Sequence, residues 1–279
     1  MRKLDWSARV AAFRDLHAPG KFLLLGNAWD VGSAVILARL GYGAVGTTSA
    51  GIAFSRGVPD FGLVSLSEQI SIVREMVSSV HIPITFDLES ASDLDGDDLA
   101  LLIDQVVDAG AVGVNIEDSI AGEQLRRIDT KRQMQRLRTI RDVAKQRGSQ
   151  LFVNARVDSF WCNPEAAEAE FEDLTHRSLS YLEAGADGIF APGLAQRDFI
   201  HELVRSVPAP INVLLMPGGP DLGELKALGI RRVSQGSSLA RAAYSEFYLS
   251  AQELLEGARV GPGERRQPMS YTQMNRLFI

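Results

Sequence analysis

The sequence contains little cysteine and no long apolar run, and both absences restrict where the protein can work. The single cysteine among 279 residues, Cys162, excludes an intramolecular disulfide and is typical of a reducing compartment. The first residues are charged and lack the apolar core of a signal peptide, and no stretch approaches the ~20 apolar residues of a membrane span. We therefore expect a cytoplasmic protein with no membrane partner.

Basic patches are also scarce, which argues against nucleic acid as a partner. The net charge is −6, and the densest basic stretch, 126–138, is interpreted as a solvated loop and helix surface. Hydrophobic residues make up 46% of the chain and charged residues 23%, a balance that supports a large buried core and excludes a disordered chain. We predict a globular protein that binds no nucleic acid.

Short apolar runs alternate with helix-length amphipathic segments along the chain. Most of the runs are continuously apolar, as parallel strands buried on both faces are. Eight can be counted: Phe22–Ala28, Ala44–Ser49, Pro83–Glu89, Val112–Asp118, Leu151–Asp158, Gly188–Pro192, Ile211–Met216 and Arg232–Gln235. This alternation predicts an α/β fold, the (β/α)8 or TIM barrel.

A weak internal repeat supports the count of eight. A glycine that can close a helix in the left-handed conformation precedes a strand at every second unit, at Gly41, Gly110, Gly185 and Gly229. Four copies at alternate positions imply eight units.

No linker or change of composition divides the chain into two globular units. We predict one barrel domain over residues 1–260 and a C-terminal tail over 261–279, where Pro-Gly-Glu-Arg-Arg ends the last helix. Within the tail, Tyr271–Phe278 is predicted to form a short helix that packs on the barrel or on a neighbouring subunit.

In such barrels the chemistry lies at the C-terminal ends of the strands, so polar residues there are candidates for a site. They are Asn27, Trp29, Asp30, Thr47, Thr48, Ser49, Asp87, Glu89, Asn115, Glu117, Asp118, Asn154, Arg156, Asp158 and Asn212. Four carboxylates fall on the adjacent third and fourth strands and are expected to face one arginine on the fifth. Such a set is costly to assemble unless a cation relieves the repulsion.

The carboxylates predict a divalent cation. Because side chains alternate along a strand, Asp87 and Glu89 point the same way, and Glu117 lies on the neighbouring strand. Oxygen ligands without nearby histidine or cysteine favour Mg²⁺, with Mn²⁺ as the alternative ion, over zinc. Salt bridges at the barrel rim are the competing interpretation, above all for Asp118 and Asp158.

Other barrel chemistries lack the residues that they need. All five lysines fall outside the predicted strand ends, so a Schiff-base aldolase has no nucleophile. The four histidines fall in helices or at the opposite strand ends, where packing or surface roles are expected. Cys162 follows the fifth strand and is either a candidate acid or a structural residue.

Phosphate binding is one interpretation of the turns after the seventh and eighth strands. Residues 217–219 and 236–238 are rich in glycine and serine and occupy the corner where many barrels hold phosphate. Both segments also serve as plain turns, with Arg241 as the nearby basic residue. The two interpretations stay open at this stage.

Several motifs, in order from Phe22 to about Ala258, resemble the isocitrate lyase/phosphoenolpyruvate mutase superfamily. They are Asn27-Ala28-Trp29-Asp30, Thr47-Thr48-Ser49-Ala50-Gly51, Gly57-Val58-Pro59-Asp60, Asp87-Leu88-Glu89, Val114-Asn115-Ile116-Glu117-Asp118, Asn154-Ala155-Arg156-Val157-Asp158 and Ala184–Phe190. The resemblance implies a Mg²⁺-dependent enzyme on a small carboxylate substrate. It also implies a homo-dimer or homo-tetramer in which subunits exchange the last helix.

Residue roles follow from the same resemblance. Asp87 corresponds to the direct metal ligand, and Glu89 and Glu117 correspond to residues that hold metal-bound waters. Arg156 corresponds to the partner of the substrate carboxylate. Thr48 and Ser49 correspond to residues that hydrogen-bond the carboxylate or enolate oxygen. The catalytic set that the resemblance implies is Thr48, Ser49, Glu117 and Arg156, and the substrate-binding set is Trp29, Thr48, Ser49, Ala50, Asp60, Arg156 and Asn212.

The chain departs from the best-known branches after its fourth strand. The isocitrate and methylisocitrate lyases carry a Lys-Lys/Arg-Cys-Gly-His segment there, and the phosphonomutases carry a lysine directly after the Glu-Asp pair. Here Ser119 takes the place of that lysine, and residues 119–127 contain neither cysteine nor histidine. The branch is therefore a non-classical one without the catalytic cysteine.

What remains favours a C–C lyase that acts on a short 2-oxo or 2-hydroxy di- or tricarboxylic acid, similar to oxaloacetate or methylisocitrate, through a metal-stabilised enolate. Two alternatives stay open. One is P–C chemistry, as in phosphonopyruvate hydrolysis or phosphoenolpyruvate mutation. The other is a 2-oxo acid binding protein with weak catalysis.

Overall fold

Eight parallel strands close into a barrel in the computed structural model, which describes residues 6–60, 63–88, 91, 93–120, 125–163 and 167–257. They are β1 (Leu23–Ala28), β2 (Val45–Thr47), β3 (Ile84–Asp87), β4 (Gly113–Glu117), β7 (Phe152–Arg156), β8 (Gly188–Ala191), β9 (Ile211–Leu214) and β10 (Arg232–Ser234). Each pairs with its neighbours in chain order, and β10 pairs with β1 to close the ring. The predicted barrel is confirmed, and every strand lies within its predicted run.

Two further strands form a small antiparallel pair outside the barrel. β5 (Ser119–Ile120) and β6 (Arg126–Arg127) join the two ends of the segment that follows β4. Sequence patterns do not predict them, because two residues are too few to show an alternation. The pair places Ser119 directly beyond the C-terminal end of β4.

Helices cover the outside of the barrel. They are α1 (Trp6–Asp15), α2 (Val31–Arg39), α3 (Ser49–Ser55), α4 (Leu66–Ser79), α5 (Gly96–Asp108), α6 (Thr130–Gln146), α7 (Ser159–Cys162), α8 (Ala167–Glu183), α9 (Arg197–Ser206), α10 (Leu222–Ala227) and α11 (Ser238–Leu255). α1 closes the N-terminal end of the barrel, where buried Phe13 packs edge-on against Phe152 with ring centroids 5.5 Å apart. Phe13 and Phe152 belong to an apolar cluster formed by α1 and the strands at that end.

The glycine repeat has the conformation that the sequence predicts. Gly41, Gly110, Gly185 and Gly229 have φ angles of +88°, +90°, +104° and +89° and follow α2, α5, α8 and α10. Because a side chain strains this left-handed conformation, glycine lets each helix end abruptly before its strand begins.

The last helix buries very little of its surface. Ala240 is the buried residue of α11, whereas Phe247, Tyr248 and Leu255 are 73%, 66% and 90% exposed. An apolar face of this size is typical of a surface that another subunit covers. The predicted exchange of this helix stays a prediction, because the structure holds one chain.

Two predictions for the C-terminus fall outside the described residues, which end at 257. These are the domain boundary after residue 260 and the short helix Tyr271–Phe278. Among the helices of the described ranges, none combines the length and the apolar character that a membrane crossing requires.

Candidate active site

A cavity of about 150 Å³ opens at the C-terminal end of the barrel, where the sequence predicts the site. Eight residues that the sequence offers as site candidates line it: Asn27, Thr48, Ser49, Ala50, Asp60, Asp87, Asn115 and Arg156. The lining also contains Trp161, Phe190, Pro192, Leu214, Ser234, Gly236 and Ser237. All eight barrel strands, or the loops after them, thus contribute. The volume is about that of five water molecules, so the cavity fits a short ligand.

The loop after β2 brings two hydroxyl groups to the cavity. Thr48 caps α3, and its Oγ1 accepts a hydrogen bond from the N–H of Gly51 (3.4 Å). A Cβ at Gly51 would lie 2.6 Å from Thr48 Cγ2 and 2.9 Å from Trp29 Cβ, so this turn requires glycine. Trp29 packs behind the loop, near the ring of Tyr244, and is not part of the lining. Its predicted role in the pocket stays a prediction.

Asp87 ends β3 and brings a carboxylate to the cavity. Its N–H donates to Thr47 Oγ1 (2.9 Å), and Asn115 Nδ2 donates to its Oδ1 (3.3 Å). Burial raises the pKa of the Asp87 carboxyl; the charge of Arg156 opposes the rise, and that of Asp60 adds to it. A cation bound beside Asp87 would favour the ionised form, so the electrostatics of the site suit a positively charged ligand.

Of the other two predicted metal ligands, Glu117 is within the described residues and Glu89 is not. Glu117 is buried at the end of β4, in register with Arg156 on β7, whereas Glu89 lies outside the described residues. Within the described ranges, which leave out Glu89, no group of three His, Cys, Asp or Glu side chains could hold a metal ion. The donor types fit Mg²⁺ or Mn²⁺, since the described lining offers carboxylate, amide and hydroxyl oxygens without histidine or cysteine.

A buried arginine from α6 fixes the backbone beside these residues. Arg136 donates to the carbonyl oxygens of Glu117 (3.0 Å), Ala91 (2.7 Å) and Leu94 (3.1 Å). The guanidinium thereby ties the end of β4 to the loop after β3. The interpretation of the 126–138 stretch as a solvated surface is wrong for Arg136, because its position on α6 shares the buried face with Leu137.

Arg156 ends β7 and is the one cationic side chain among the described lining residues. Its Nε donates to Asp158 Oδ1 (2.6 Å), and its guanidinium carbon lies 5.9 Å from the ring centroids of both Trp161 and Phe190. Sequence reasoning missed these two aromatic residues. Trp161 lies three residues after the predicted fifth strand. The sequence pattern does not distinguish an aromatic side chain in a site from one in the core.

Asp118 does not face Arg156, which corrects the predicted set of four carboxylates. It is fully buried on the outside of the barrel, where its Oδ2 accepts hydrogen bonds from Tyr181 Oη (2.7 Å) and Arg177 Nη1 (3.0 Å). Burial raises the pKa of the Asp118 carboxyl to about 6, and the charge of Asp158 adds to the rise. Side chains alternate along a strand, so Asp118 and its neighbour Glu117 point to opposite faces.

Asn212 lies inside the barrel and is not part of the cavity lining. Its Oδ1 accepts from Asn154 Nδ2 (3.2 Å), which also donates to Asn115 Oδ1 (2.9 Å). Arg232, buried at the start of β10, donates from Nη2 to the same Asn115 oxygen (3.1 Å). Burial lowers the pKa of Arg232, and the charge of Asp87 counters this. A row of hydrogen bonds thus runs from the barrel interior to Asp87.

The glycine corner after β10 reaches the cavity through Gly236 and Ser237. The N–H groups of Gln235 and Gly236 both donate to Asn27 Oδ1 (2.9 and 3.0 Å), so these donors are already used. Arg241 lines a separate surface pocket, and residues 217–219 are not part of the cavity lining.

Cys162, the candidate acid of the sequence, is half-buried on α7 and is not part of the lining. Burial raises the pKa of its thiol to about 11, and the charge of Asp158 adds to the rise. The thiol is therefore protonated at neutral pH.

Comparison with known proteins identifies the family. A family model described as phosphoenolpyruvate phosphomutase matches residues 13–255. The chain belongs to this family. It is 38% identical over 228 residues to an uncharacterized protein of Mycobacterium tuberculosis, which covers 81% of this chain and 82% of that protein. It is 29% identical to an oxaloacetate decarboxylase of Pseudomonas fluorescens over 91% of this chain and 88% of the relative.

Solved structures agree with this family assignment. The crystal structure of a Burkholderia cenocepacia protein described as a lyase/mutase has a TM-score of 0.84 and 32% identity, and the match covers 98% of this chain and 96% of that one. The resemblance to the isocitrate lyase/phosphoenolpyruvate mutase superfamily is thereby confirmed. Because the family and its relatives are lyases and mutases, the chain is an enzyme of this type.

Proposed function

We propose that this phosphoenolpyruvate phosphomutase family member is a Mg²⁺- or Mn²⁺-dependent lyase. It cleaves a carbon–carbon bond of a short 2-oxo or 2-hydroxy di- or tricarboxylic acid through an enolate. The observation that carries the proposal is the presence of Asp87 and Arg156 in one small cavity, which offers a carboxylate for a cation and a guanidinium for a substrate carboxylate. The relationship to an oxaloacetate decarboxylase supports it.

Three carboxylates are proposed to hold the metal ion: Asp87, Glu89 and Glu117. When bound, the ion supplies a fixed positive charge that stabilises an enolate. Asn115 donates to Asp87 Oδ1 and so fixes the carboxylate in the cavity. The substrate is proposed to enter above Asp87 with its carboxylate toward Arg156.

Arg156 binds the substrate carboxylate in this proposal, because a guanidinium presents forked N–H donors that match two carboxylate oxygens. The hydroxyl groups of Thr48 and Ser49 lie on the same cavity and donate to the carboxylate or the developing enolate oxygen. Donors fixed in advance by a helix cap need no reorganisation during the reaction, and Thr48 is such a cap.

The apolar part of the cavity favours decarboxylation among the C–C cleavages. Trp161, Phe190, Pro192 and Leu214 line it, and Arg156 is the one cation that the described lining offers. The short internal segments outside the described ranges contain no lysine, arginine or histidine. With Arg156 bound to the first carboxylate, a second carboxylate gains no cationic side chain of the described lining as a partner, and an apolar surrounding favours its departure as neutral CO₂. Oxaloacetate is the first substrate to test.

P–C chemistry is the second candidate, and the name of the matching family model favours it. A phosphonate dianion needs several strong donors, and the corner after β10 has already committed the N–H groups of Gln235 and Gly236 to Asn27. C–C cleavage is therefore the better-supported proposal.

The experiment is a substrate panel with purified protein and Mg²⁺. Oxaloacetate, methylisocitrate, dimethylmalate and phosphonopyruvate are assayed in parallel for pyruvate, CO₂ and phosphate. We expect CO₂ and pyruvate from oxaloacetate above the metal-only rate. Phosphate release from phosphonopyruvate alone would establish P–C chemistry instead. Tight oxalate binding without turnover of any compound would establish a binding protein.

A matched pair of variants tests the metal site. Asp87→Asn removes the proposed ligand with little change of shape, and we expect it to abolish both turnover and Mn²⁺ binding. Asp98→Asn, on the exposed face of α5, removes the same charge and should change neither. Normal Mn²⁺ binding by Asp87→Asn would refute the assignment.

We further propose a homo-dimer or homo-tetramer in which a second copy covers the apolar face of α11. Light scattering after gel filtration measures the mass, and Phe247→Ser should shift it toward the monomer if the face is covered. A monomeric wild type would refute this part. The cytoplasmic location stays a prediction from the sequence.

A further inference from the structure

Arg156 is held from several sides within the cavity. Asp158 Oδ1 accepts from its Nε at 2.6 Å, and the rings of Trp161 and Phe190 each lie 5.9 Å from the guanidinium carbon. A free arginine side chain carries about 2 kcal/mol of rotamer entropy. Contacts that already fix the guanidinium reduce the side-chain entropy that is lost when a ligand binds to it.

The second oxygen of Asp158 connects this arginine to the segment after β4. Ser119 Oγ donates to Asp158 Oδ2, and both side chains are buried, with 2% and 0% exposure. Ser119 is the first residue of β5 and carries no charge. The serine hydroxyl therefore orients Asp158 without adding a positive charge to the site.

The charge of Asp158 has one described cationic contact, and that contact is Arg156. The neighbouring carboxylate, Asp118, is paired separately with Arg177. A buried ion pair is weak evidence for stability, because desolvation offsets most of the attraction. The pair is better explained by what it does to Arg156 at the cavity.

We propose that Ser119, Asp158 and Arg156 form a positioning relay that sets the affinity for the substrate carboxylate. Asp158 is a positioning residue for Arg156, and Ser119 fixes Asp158. The relay rests on the proposed function only in that Arg156 binds the carboxylate. It makes Ser119 a determinant of carboxylate binding although Ser119 is not part of the cavity lining and its hydroxyl donates to Asp158.

Two serines allow a matched test. Ser119→Ala removes a buried hydroxyl that donates to Asp158, whereas Ser159→Ala removes an equally buried hydroxyl that donates to Asp173 Oδ2 (2.8 Å). With Mg²⁺ present, we expect Ser119→Ala to raise the Kd for oxalate and the KM for oxaloacetate about tenfold, since a hydrogen bond to a charged group is lost. The kcat should change less than KM. Ser159→Ala should leave all three values unchanged.

A second variant and a spectroscopic signal keep the test independent of folding and of the ligand. Asp158→Asn keeps the shape but removes the charge and should weaken oxalate binding at least as much as Ser119→Ala. In the ligand-free protein, the Nε–H resonance of Arg156, identified by its loss in Arg156→Lys, should move in Asp158→Asn and in Ser119→Ala. It should stay in place in Ser159→Ala.

The outcomes separate the relay from the proposed function. If Arg156→Met loses oxalate while Ser119→Ala and Asp158→Asn bind it normally, the relay is wrong and the role of Arg156 stands. If Arg156→Met binds oxalate normally, or the wild type binds none, the proposed role of Arg156 is wrong. The Nε–H resonance then still decides whether Ser119 and Asp158 position the side chain, and an unmoved resonance overturns that too.

Discussion

Changing Asp118 to asparagine should remove a pH dependence from the stability of the protein. Burial, followed by the charge of Asp158, raises the pKa of the Asp118 carboxyl in the folded protein from an ordinary 3.8 to about 6. Between these values the folded state holds a proton that the unfolded state has released. The resulting stabilisation is complete below about pH 3.8 and is lost as the pH rises through about 6.

The two pKa values determine the size of the effect. Their difference corresponds to about 3 kcal/mol of stability. About 2 kcal/mol of this lies between about pH 4.5 and about pH 7.5. Asp118→Asn cannot take up the proton. The free energy of unfolding of the wild type minus that of the variant should therefore fall by about 2 kcal/mol over this interval.

Urea unfolding followed by far-ultraviolet circular dichroism at the two pH values measures this difference. Asp98→Asn, which removes one negative charge from the exposed face of α5, controls for the change in net charge. A difference between wild type and Asp118→Asn that is the same at both pH values would refute the buried proton. A difference that grows with pH would show that Arg177 and Tyr181 stabilise the ionised carboxylate beyond the cost of its burial.

Two other substitutions test the packing around the cavity. Arg136→Met should lower the free energy of unfolding by about 3 to 5 kcal/mol, because it leaves two buried carbonyl oxygens and one partly buried carbonyl oxygen without their charged donor. A loss below about 1 kcal/mol in urea unfolding would contradict this. Gly51→Ala should raise the Kd for oxalate about tenfold or more, because the new Cβ would displace Thr48 from its capping position. Calorimetric titration measures the binding, and an unchanged Kd would show that the Thr48 hydroxyl contributes nothing.

Much of the fold could be predicted because burial leaves a direct trace in the sequence. Strands enclosed on both faces are mostly apolar, and helices that stop abruptly favour glycine at positions such as Gly110 and Gly185. The apolar runs and the helix-ending glycines can both be recognised from residues that are close together in the sequence. The placement of Asp87 and Arg156 at the cavity follows from the same logic, because each occupies the last position of its strand.

The parts that could not be predicted depend on partners distant in sequence. In the sequence Arg136 is typical of a surface residue, and its burial depends on the carbonyl oxygens of Ala91 and Leu94, to which it donates. Trp161 is likewise assigned to the site only by its contact with Arg156. The wrong prediction that Asp118 faces Arg156 has a different cause. The alternation of side chains along the strand separates Asp118 from Glu117 already in the sequence, whereas four carboxylates on adjacent strands favour the prediction of a single cluster.

Arg232, at the start of β10, determines how the amide group of Asn115 is oriented inside the barrel. A guanidinium can only donate, so Arg232 requires the oxygen of Asn115 and leaves its NH₂ group for Asp87. The amide dipole therefore points its positive end at the carboxylate. If Asn115 turned round, oxygen would face oxygen at Asp87. Arg232, buried in the barrel, thus determines which end of the Asn115 amide dipole faces Asp87 in the cavity.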